Sequence, residues 1–314
     1  MAAMDLPAPG DDFEWRRHDG RAALVCRALE PHAMHLFTTR EWMLGGAAND
    51  RDAGWLEVAR AMSVDAAHLA RVHQVHGASV LVRRRGDPPP REPLRDADIV
   101  ASDDPSIALA IQTADCVPLL MADRRTGAVA AAHAGWRGLA ARVPLVAVRA
   151  LAHAFASSPS DVIVAIGPSI CAQKYEVDAA VRDAFAASGA TDEEMARWFL
   201  PGTRAQHWQF DGWRAAADQL EAAGVAAGNI HAAALCSATH AQLCSYRRAG
   251  AGAGRMAAAI RARSARRGAV GDRSRGRQHA APGARAQGAR AGVRRGGRSE
   301  ERRDRIPRGA RRRS

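Results

Sequence analysis

Between Asp98 and Val164 the chain runs through short apolar segments: DIVAS, SIALAIQTA, VPLLMAD and GAVAAAHA. They are broken by Asp104-Pro105, by Pro118 and by Arg125-Thr126-Gly127. Rich in Val, Ile, Leu and Ala and without regular polar alternation, they predict strands buried on both faces. Upstream, HLFTTR (His35–Arg40) predicts a strand, and Asp52–Met62 a helix with Trp55, Val58, Ala59 and Met62 on one face. The alternation in HGASVLVRR (His76–Arg84) predicts a further strand. Downstream, Leu139–Phe155 predicts a helix closed by SSPSD, and DVIVAIGPSI a buried strand ending in a Gly-Pro turn. Val177–Ala187, Thr191–Phe199 and Asp211–Ala223 predict helices, the second opened by a capping box from Thr191 to Glu194. AAGNIHAAALCS predicts a loop and a strand, and GAGAGR (Gly250–Arg255) a flexible hairpin turn. The first 30 residues predict a loose edge with short extended pieces. No internal repeat and no linker precedes residue 260. The expectation is a single α/β domain over 31–260, with a mixed sheet and flanking helices.

Composition changes this picture at one end. The 314 residues are 47% apolar, enough for a core, and carry a net charge of +12. From Arg261 to Ser314 there are 19 arginines against four acidic residues, a surplus of 15 that leaves residues 1–260 at −3. The Arg/Gly/Ala-rich block 261–314 lacks leucine, aromatics and apolar periodicity, so disorder is expected there. It reads as the product of a shifted frame in a GC-rich gene, as an inert solvated tail, or as a basic arm contacting nucleic-acid phosphates. A single lysine, Lys174, among 45 basic residues fits GC-rich coding. The five cysteines form no CxxC and no disulfide framework. With no signal peptide and no run near the roughly 18 apolar residues of a membrane span, a cytoplasmic, membrane-free protein is expected.

Three stretches carry candidate chemistry: QVHG around His76, TADC ending at Cys116, and AAHAGWRG around His133. Two imidazoles and a thiolate are what a catalytic zinc site with an open fourth position needs. Each residue also has a plainer reading. His76 alone reads as a surface or satisfied histidine, although Gly77 permits a sharp turn. Cys116 alone reads as an inert buried thiol, although Asp115 and Pro118 argue against a plain core strand. His133 ends a buried run and leads into a helix, the usual place for an α/β site. There Trp136 offers a wall and Arg137 an anion-binding charge, or else an ordinary solvated arginine. His73 is a decoy that points away from His76 if both lie on one strand. His231, Cys236, His240 and Cys244 form a rival set for a closed structural zinc site. In SYRR, Arg247 and Arg248 beside Tyr246 are suited to a phosphate or carboxylate.

QVHG, ADCVPLL, HAGWRG, IGPSI…YEV and SYRR…GRM, in this order over Met34–Ile260, resemble the YfiH-like family. It is also called the multicopper polyphenol oxidase (laccase-domain) or peptidoglycan editing factor family, and its members are described as purine nucleoside phosphorylases. The resemblance implies an α-β-β-α layered sandwich and a zinc ion held by His76, Cys116 and His133. It implies phosphorolysis of adenosine, inosine and methylthioadenosine to base and ribose 1-phosphate, with adenosine deamination beside it. Copper-dependent phenol oxidation and hydrolytic editing of peptidoglycan precursors are the alternatives at the same site. A multicopper laccase needs several coppers and many histidines, whereas one three-ligand set is visible here, so zinc is expected before copper. Phosphorolysis needs a phosphate placed against C1′, which Arg40, Arg137, Arg247 or Arg248 are candidates to hold. The partners expected are therefore a nucleoside and phosphate, with nucleic acid only through the tail. The chain departs from the family in the loop EWMLGGAANDRD, at Leu243-Cys244 and at Ala249 after SYRR. It also departs where MAAAI runs into RARSARRG, which predicts a truncated last strand.

Overall fold

The computed structural model describes residues 5–45, 51–89 and 94–263. Two six-stranded sheets organise the chain. The first runs, in spatial order, Phe13–His18, Arg21–Cys26, Ala33–Thr38, Met256–Ala262, Ala108–Thr113 and Leu69–Ala70. The second runs Ile230–Ala232, Val162–Ile166, Val117–Asp123, Val129–Ala134, Ile99–Ser102 and Val80–Arg83. Both are mixed, with parallel pairs at Leu69–Ala70/Ala108–Thr113, Val80–Arg83/Ile99–Ser102 and Val162–Ile166/Ile230–Ala232.

Alternation along the strands sorts their side chains into three cores. Met256, Ala258, Ile260 and Ala262 face the space between the sheets, where they meet Leu120, Ala122, Val129, Ala131 and Ala165. Ala257 and Ala259 point the other way, to Trp55, Val58 and Ala59 of the helix Arg51–Ala61 and to Met62 just past its end. On the second sheet Leu119, Met121, Ala130 and Ala132 face outward onto the helices Val143–Phe155 and Gly212–Ala222. The helices Ala179–Ala187 and Asp192–Trp198 extend this cover around an aromatic knot of Phe185, Trp198, Phe199 and Phe210, with ring centroids 4.9–5.9 Å apart. Helix, sheet, sheet and helices give the α-β-β-α layering. The helices over Arg51–Ala61, Asp192–Trp198 and Gly212–Ala222 follow the apolar spacing closely, and the capping box at Thr191 and Glu194 is present.

Several elements differ from the pattern-based expectation. The first 30 residues are not a loose edge: Phe13–His18 and Arg21–Cys26 form a regular antiparallel hairpin. Asp19 and Gly20 turn it with φ of 47° and 84°. An Asp-Gly pair supplies the positive φ that a two-residue hairpin turn requires. The expected strand His76–Arg84 shrinks to Val80–Arg83, because His76 itself has φ of 59° and lies in a loop. The expected helix Leu139–Phe155 is two helices, Trp136–Ala140 and Val143–Phe155, broken at Arg142 with φ of 60°. Pro144 lies in the first turn of the second helix, where its missing N–H costs nothing. The Arg142 guanidinium closes on both Glu194 carboxylate oxygens at 2.8–2.9 Å. Val177 belongs to a short strand, Glu176–Asp178, in a third sheet with Phe199–Pro201 and His207–Phe210. Its helix begins at Ala179, capped by the Asp178 carboxylate. GAGAGR is no hairpin but a 3₁₀ turn, Gly250–Gly252, after the short helix Tyr246–Ala249.

The last strand is not truncated. Met256–Ala262 lies between Ala33–Thr38 and Ala108–Thr113 and pairs with both. Alanine is small enough to seat it against cores on both faces. Arg261 is accommodated because its guanidinium donates to the carbonyls of Pro105, Met62 and Ser63. The block from residue 264 onward and the substituted loop 46–50 lie outside the described residues.

Candidate metal centre and its cavity

The antiparallel pairing of Val117–Asp123 with Val129–Ala134 sets Val117 opposite Ala134 and Pro118 opposite His133. Cys116, one residue before its strand, therefore lies beside the end that carries His133. His76 reaches the same corner on the loop before Val80–Arg83. The His76 and His133 rings meet edge to face with centroids 4.9 Å apart. One donor atom from each of His76, Cys116 and His133 lies within 4.8 Å of the other two. Among the described residues this is the one such group.

Asp98, absent from the sequence-predicted set, holds the corner in place. It is fully buried at the head of Ile99–Ser102. Oδ1 accepts from His133 Nδ1 at 2.8 Å and from the His76 N–H at 3.1 Å. Oδ2 accepts from the N–H groups of Gly77 at 2.7 Å and Val75 at 3.3 Å. One carboxylate thus fixes the tautomer of one histidine, leaving its Nε2 free to ligate, and the loop conformation of the other. Burial pushes the Asp98 carboxyl up, but the His133 hydrogen bond and the Gly77 N–H outweigh it and hold it below the ordinary value. The signal was an acid leading an otherwise all-apolar run, a position tolerated only with partners.

The Cys116 thiolate suits a cation, and His133, protonated beside that thiolate, must release its Nε2 proton to ligate one. Burial pushes the Cys116 thiol up, yet the charge of His133 and hydrogen bonds from His133 and His76 bring it down to about 6. Burial pushes His133 down, yet the Cys116 thiolate and Asp98 raise it to about 9. Space is reserved as well. A Cβ on Gly135 would lie 2.8 Å from Cys116 Sγ and 3.2 Å from His76 Cδ2, so any side chain there would fill the corner. His₂Cys donors, one histidine braced by a carboxylate, and clearance kept by a glycine fit a metal ion with an open fourth position.

The corner opens into a cavity of about 760 Å³ lined by Trp136, Tyr175, Tyr246, Arg137 and Arg247, among others. Arg137 lies 4.2 Å above the Trp136 ring. Arg247 lies 5.2 Å over Tyr175 and donates to the carbonyls of Lys174 and Glu176 at 3.2 Å. Two expected arginines are placed otherwise. Arg40 does not line the cavity, and its guanidinium donates to the Ala241 carbonyl at 3.1 Å. Arg248 is spent inside its own loop on the carbonyls of Ser237, His240 and Leu243. The rival zinc set does not converge: His231 pairs with Asp12 at 2.8 Å, and Cys236 Sγ accepts the Cys171 N–H at 3.2 Å. His73 pairs with Asp96 on the surface at 2.8 Å.

A family model described as multi-copper polyphenol oxidoreductase laccase matches residues 48–263. The chain belongs to this family. Purine nucleoside phosphorylase of Deinococcus radiodurans is 35% identical over 203 residues, covering 65% of this chain and 74% of that protein. Purine nucleoside phosphorylase of Bacteroides thetaiotaomicron is 35% identical over 171 residues, covering 54% of this chain and 62% of that protein. The crystal structure of YlmD from Geobacillus stearothermophilus superposes with a TM-score of 0.70 at 27% identity, over 80% of this chain and 99% of that one. Laccase-family membership agrees with a metal centre in this fold. Among the described residues no helix is long and apolar enough to cross a membrane.

Proposed function

We propose that this laccase-family chain is a zinc-dependent purine nucleoside phosphorylase. Its substrates are adenosine, inosine and methylthioadenosine, with adenosine deamination as a second activity at the same site. The observation that carries the reading is the juxtaposition of the His76–Cys116–His133 corner with a cavity walled by aromatics and arginines. Zinc held by these three residues would supply Lewis acidity at the open position. The rest follows from the chain's own side chains. Trp136, Tyr175 and Tyr246 offer faces to a purine. Arg137 and Arg247 place a phosphate oxygen against C1′, where the C1′–O bond forms as the bond to the base nitrogen breaks. The departing base takes up a proton. In deamination, water replaces the exocyclic amine, which leaves as ammonia.

Zinc is favoured over copper because laccase chemistry needs several coppers, and the described residues bring together one group of three donors. The five cysteines, all free thiols, support a reducing, cytoplasmic setting. Incubation with adenosine and phosphate is expected to yield ribose 1-phosphate, and Cys116→Ala to yield none. Wild-type product no greater than in that control would overturn the reading. Elemental analysis finding stoichiometric copper in place of zinc would turn it toward phenol oxidation.

A further inference from the structure

Asp115 has no part in the chemistry above, yet it lines the cavity in a tightly held geometry. It precedes the ligand Cys116 with φ of 88°, a region that residues other than glycine rarely occupy. Both carboxylate oxygens are engaged. Oδ1 accepts from the Ser237 hydroxyl at 2.5 Å, and Oδ2 from the Arg247 N–H at 2.6 Å. The Asp115 carbonyl accepts the Ile170 N–H at 3.0 Å. One residue therefore joins three segments of the wall: the metal-ligating turn, the turn that carries Arg247, and the stretch leading to Tyr175. Arg247 is then clamped from its other end by the carbonyls of Lys174 and Glu176.

We propose that Asp115 is a positioning residue that sets Arg247, and the anion it holds, at a fixed place relative to Cys116. The inference rests on the phosphorolysis reading and adds to it. Reacting atoms must be brought to about 3–3.5 Å, and small misplacements cost rate steeply. Direct coupling of the arginine's backbone to the residue next to a metal ligand is one way to hold that spacing.

Two variants separate the tether from the backbone strain. Asp115→Gly keeps the positive φ and removes both oxygens. Asp115→Asn keeps the shape: its oxygen accepts from Arg247, and its amide donates to a Ser237 hydroxyl turned from donor to acceptor. For Asp115→Gly, wild-type zinc content, an adenosine KM within about twofold and a phosphate KM raised about tenfold are expected. Asp115→Asn should recover most of that loss. Ser237→Ala, which removes one arm and leaves the other, should raise the phosphate KM by a smaller factor and guards against a glycine variant that fails to fold. Calorimetric titration with inorganic phosphate reads the same contrast without turnover. Equal phosphate binding by wild type and Asp115→Gly would overturn this proposal alone. Loss of zinc together with phosphate binding would show a merely structural role and would also overturn it. A wild-type protein that neither binds phosphate nor makes ribose 1-phosphate would remove the phosphorolysis reading and this one with it.

Discussion

The metal corner and the arginine wall face each other across one cavity, but they are built on different principles. At the corner, three donors come from strand ends and one tight loop, and a buried carboxylate and a glycine leave them little freedom. On the wall, Arg137 and Arg247 rest on aromatic faces at 4.2 and 5.2 Å and stay partly in solvent. The donors are placed by backbone and a buried carboxylate, whereas the wall presents exposed guanidinium groups, Arg247 held by the carbonyls of Lys174 and Glu176. The sharpest way to break this contrast is at Gly135. Gly135→Val puts carbon where Cys116 Sγ and His76 Cδ2 already lie, 2.8 and 3.2 Å from the Cβ position. Metal content should collapse and activity fall about hundredfold or more. Gly228, with nothing within 4 Å of a Cβ, is the control, and Gly228→Ala should leave both unchanged. A metal-replete Gly135→Val protein would show that the corner is looser than its geometry says.

Asp98 tests the same rigidity through charge. Asp98→Ala leaves His133 Nδ1 and the N–H groups of Val75, His76 and Gly77 without their acceptor. Metal affinity should drop about 10- to 100-fold, measured by competition with a chromophoric chelator. The metal-free protein adds a pH signature. Cys116, lowered from 9.0 to about 6, contributes stability that is full above pH 9 and lost as pH falls through 6. His133, raised from 6.5 to about 9, contributes stability that is full below pH 6.5 and lost as pH rises through 9. Between these limits the two slopes oppose, so the pair adds no net pH dependence to urea unfolding from about pH 6.5 to 9. In the metal-free protein the ultraviolet absorbance of the Cys116 thiolate should titrate at about 6, and a midpoint near the ordinary 9.0 would mean that the pair is not ionised as described.

This contrast also explains what the amino-acid pattern disclosed. The three candidate donors stood out because His76 and His133 lie near glycines and Cys116 lies at the head of an apolar run, and the family resemblance joined them into one set. Also legible were the strands Val117–Asp123 and Val129–Ala134, which bring two of them together. Asp98 was not singled out, since one acid before a buried strand looks like a turn residue until the N–H groups around it are seen. The break at Arg142 was hidden because Leu139–Phe155 keeps helical periodicity across it, and only Pro144 hinted at a restart. The hairpin at Asp19-Gly20 was a missed local signal. The arginines resisted sequence reasoning for a physical reason. A guanidinium reaches far from its Cα, so neighbours in sequence such as Arg247 and Arg248 end with different work, one in the cavity and one stapling its own loop.

On the wall the expected effects are smaller and confined to binding. Arg137 lines the cavity and stacks on Trp136. Arg137→Ala should raise the phosphate KM about tenfold, equivalent to about 1.4 kcal/mol, with zinc content unchanged. The loss should shrink as salt is raised, since a partly solvated charge is screened. A fall in metal content in this variant would mean that wall and corner are one unit after all.

Arg40 marks the outer limit of the wall. It carries the same charge as Arg137, follows a strand of the first sheet and was an equal candidate on sequence grounds. Its guanidinium instead donates to the Ala241 carbonyl at 3.1 Å, at an exposed position that does not line the cavity. A hydrogen bond of that kind is worth about 1 kcal/mol or less in a solvated setting. Arg40→Ala should therefore lower the urea midpoint slightly and leave the phosphate KM within about twofold of wild type. If its phosphate KM rose as far as that of Arg137→Ala, anion recognition would extend past the cavity rim through the field of the charge, because contact alone does not reach Arg40.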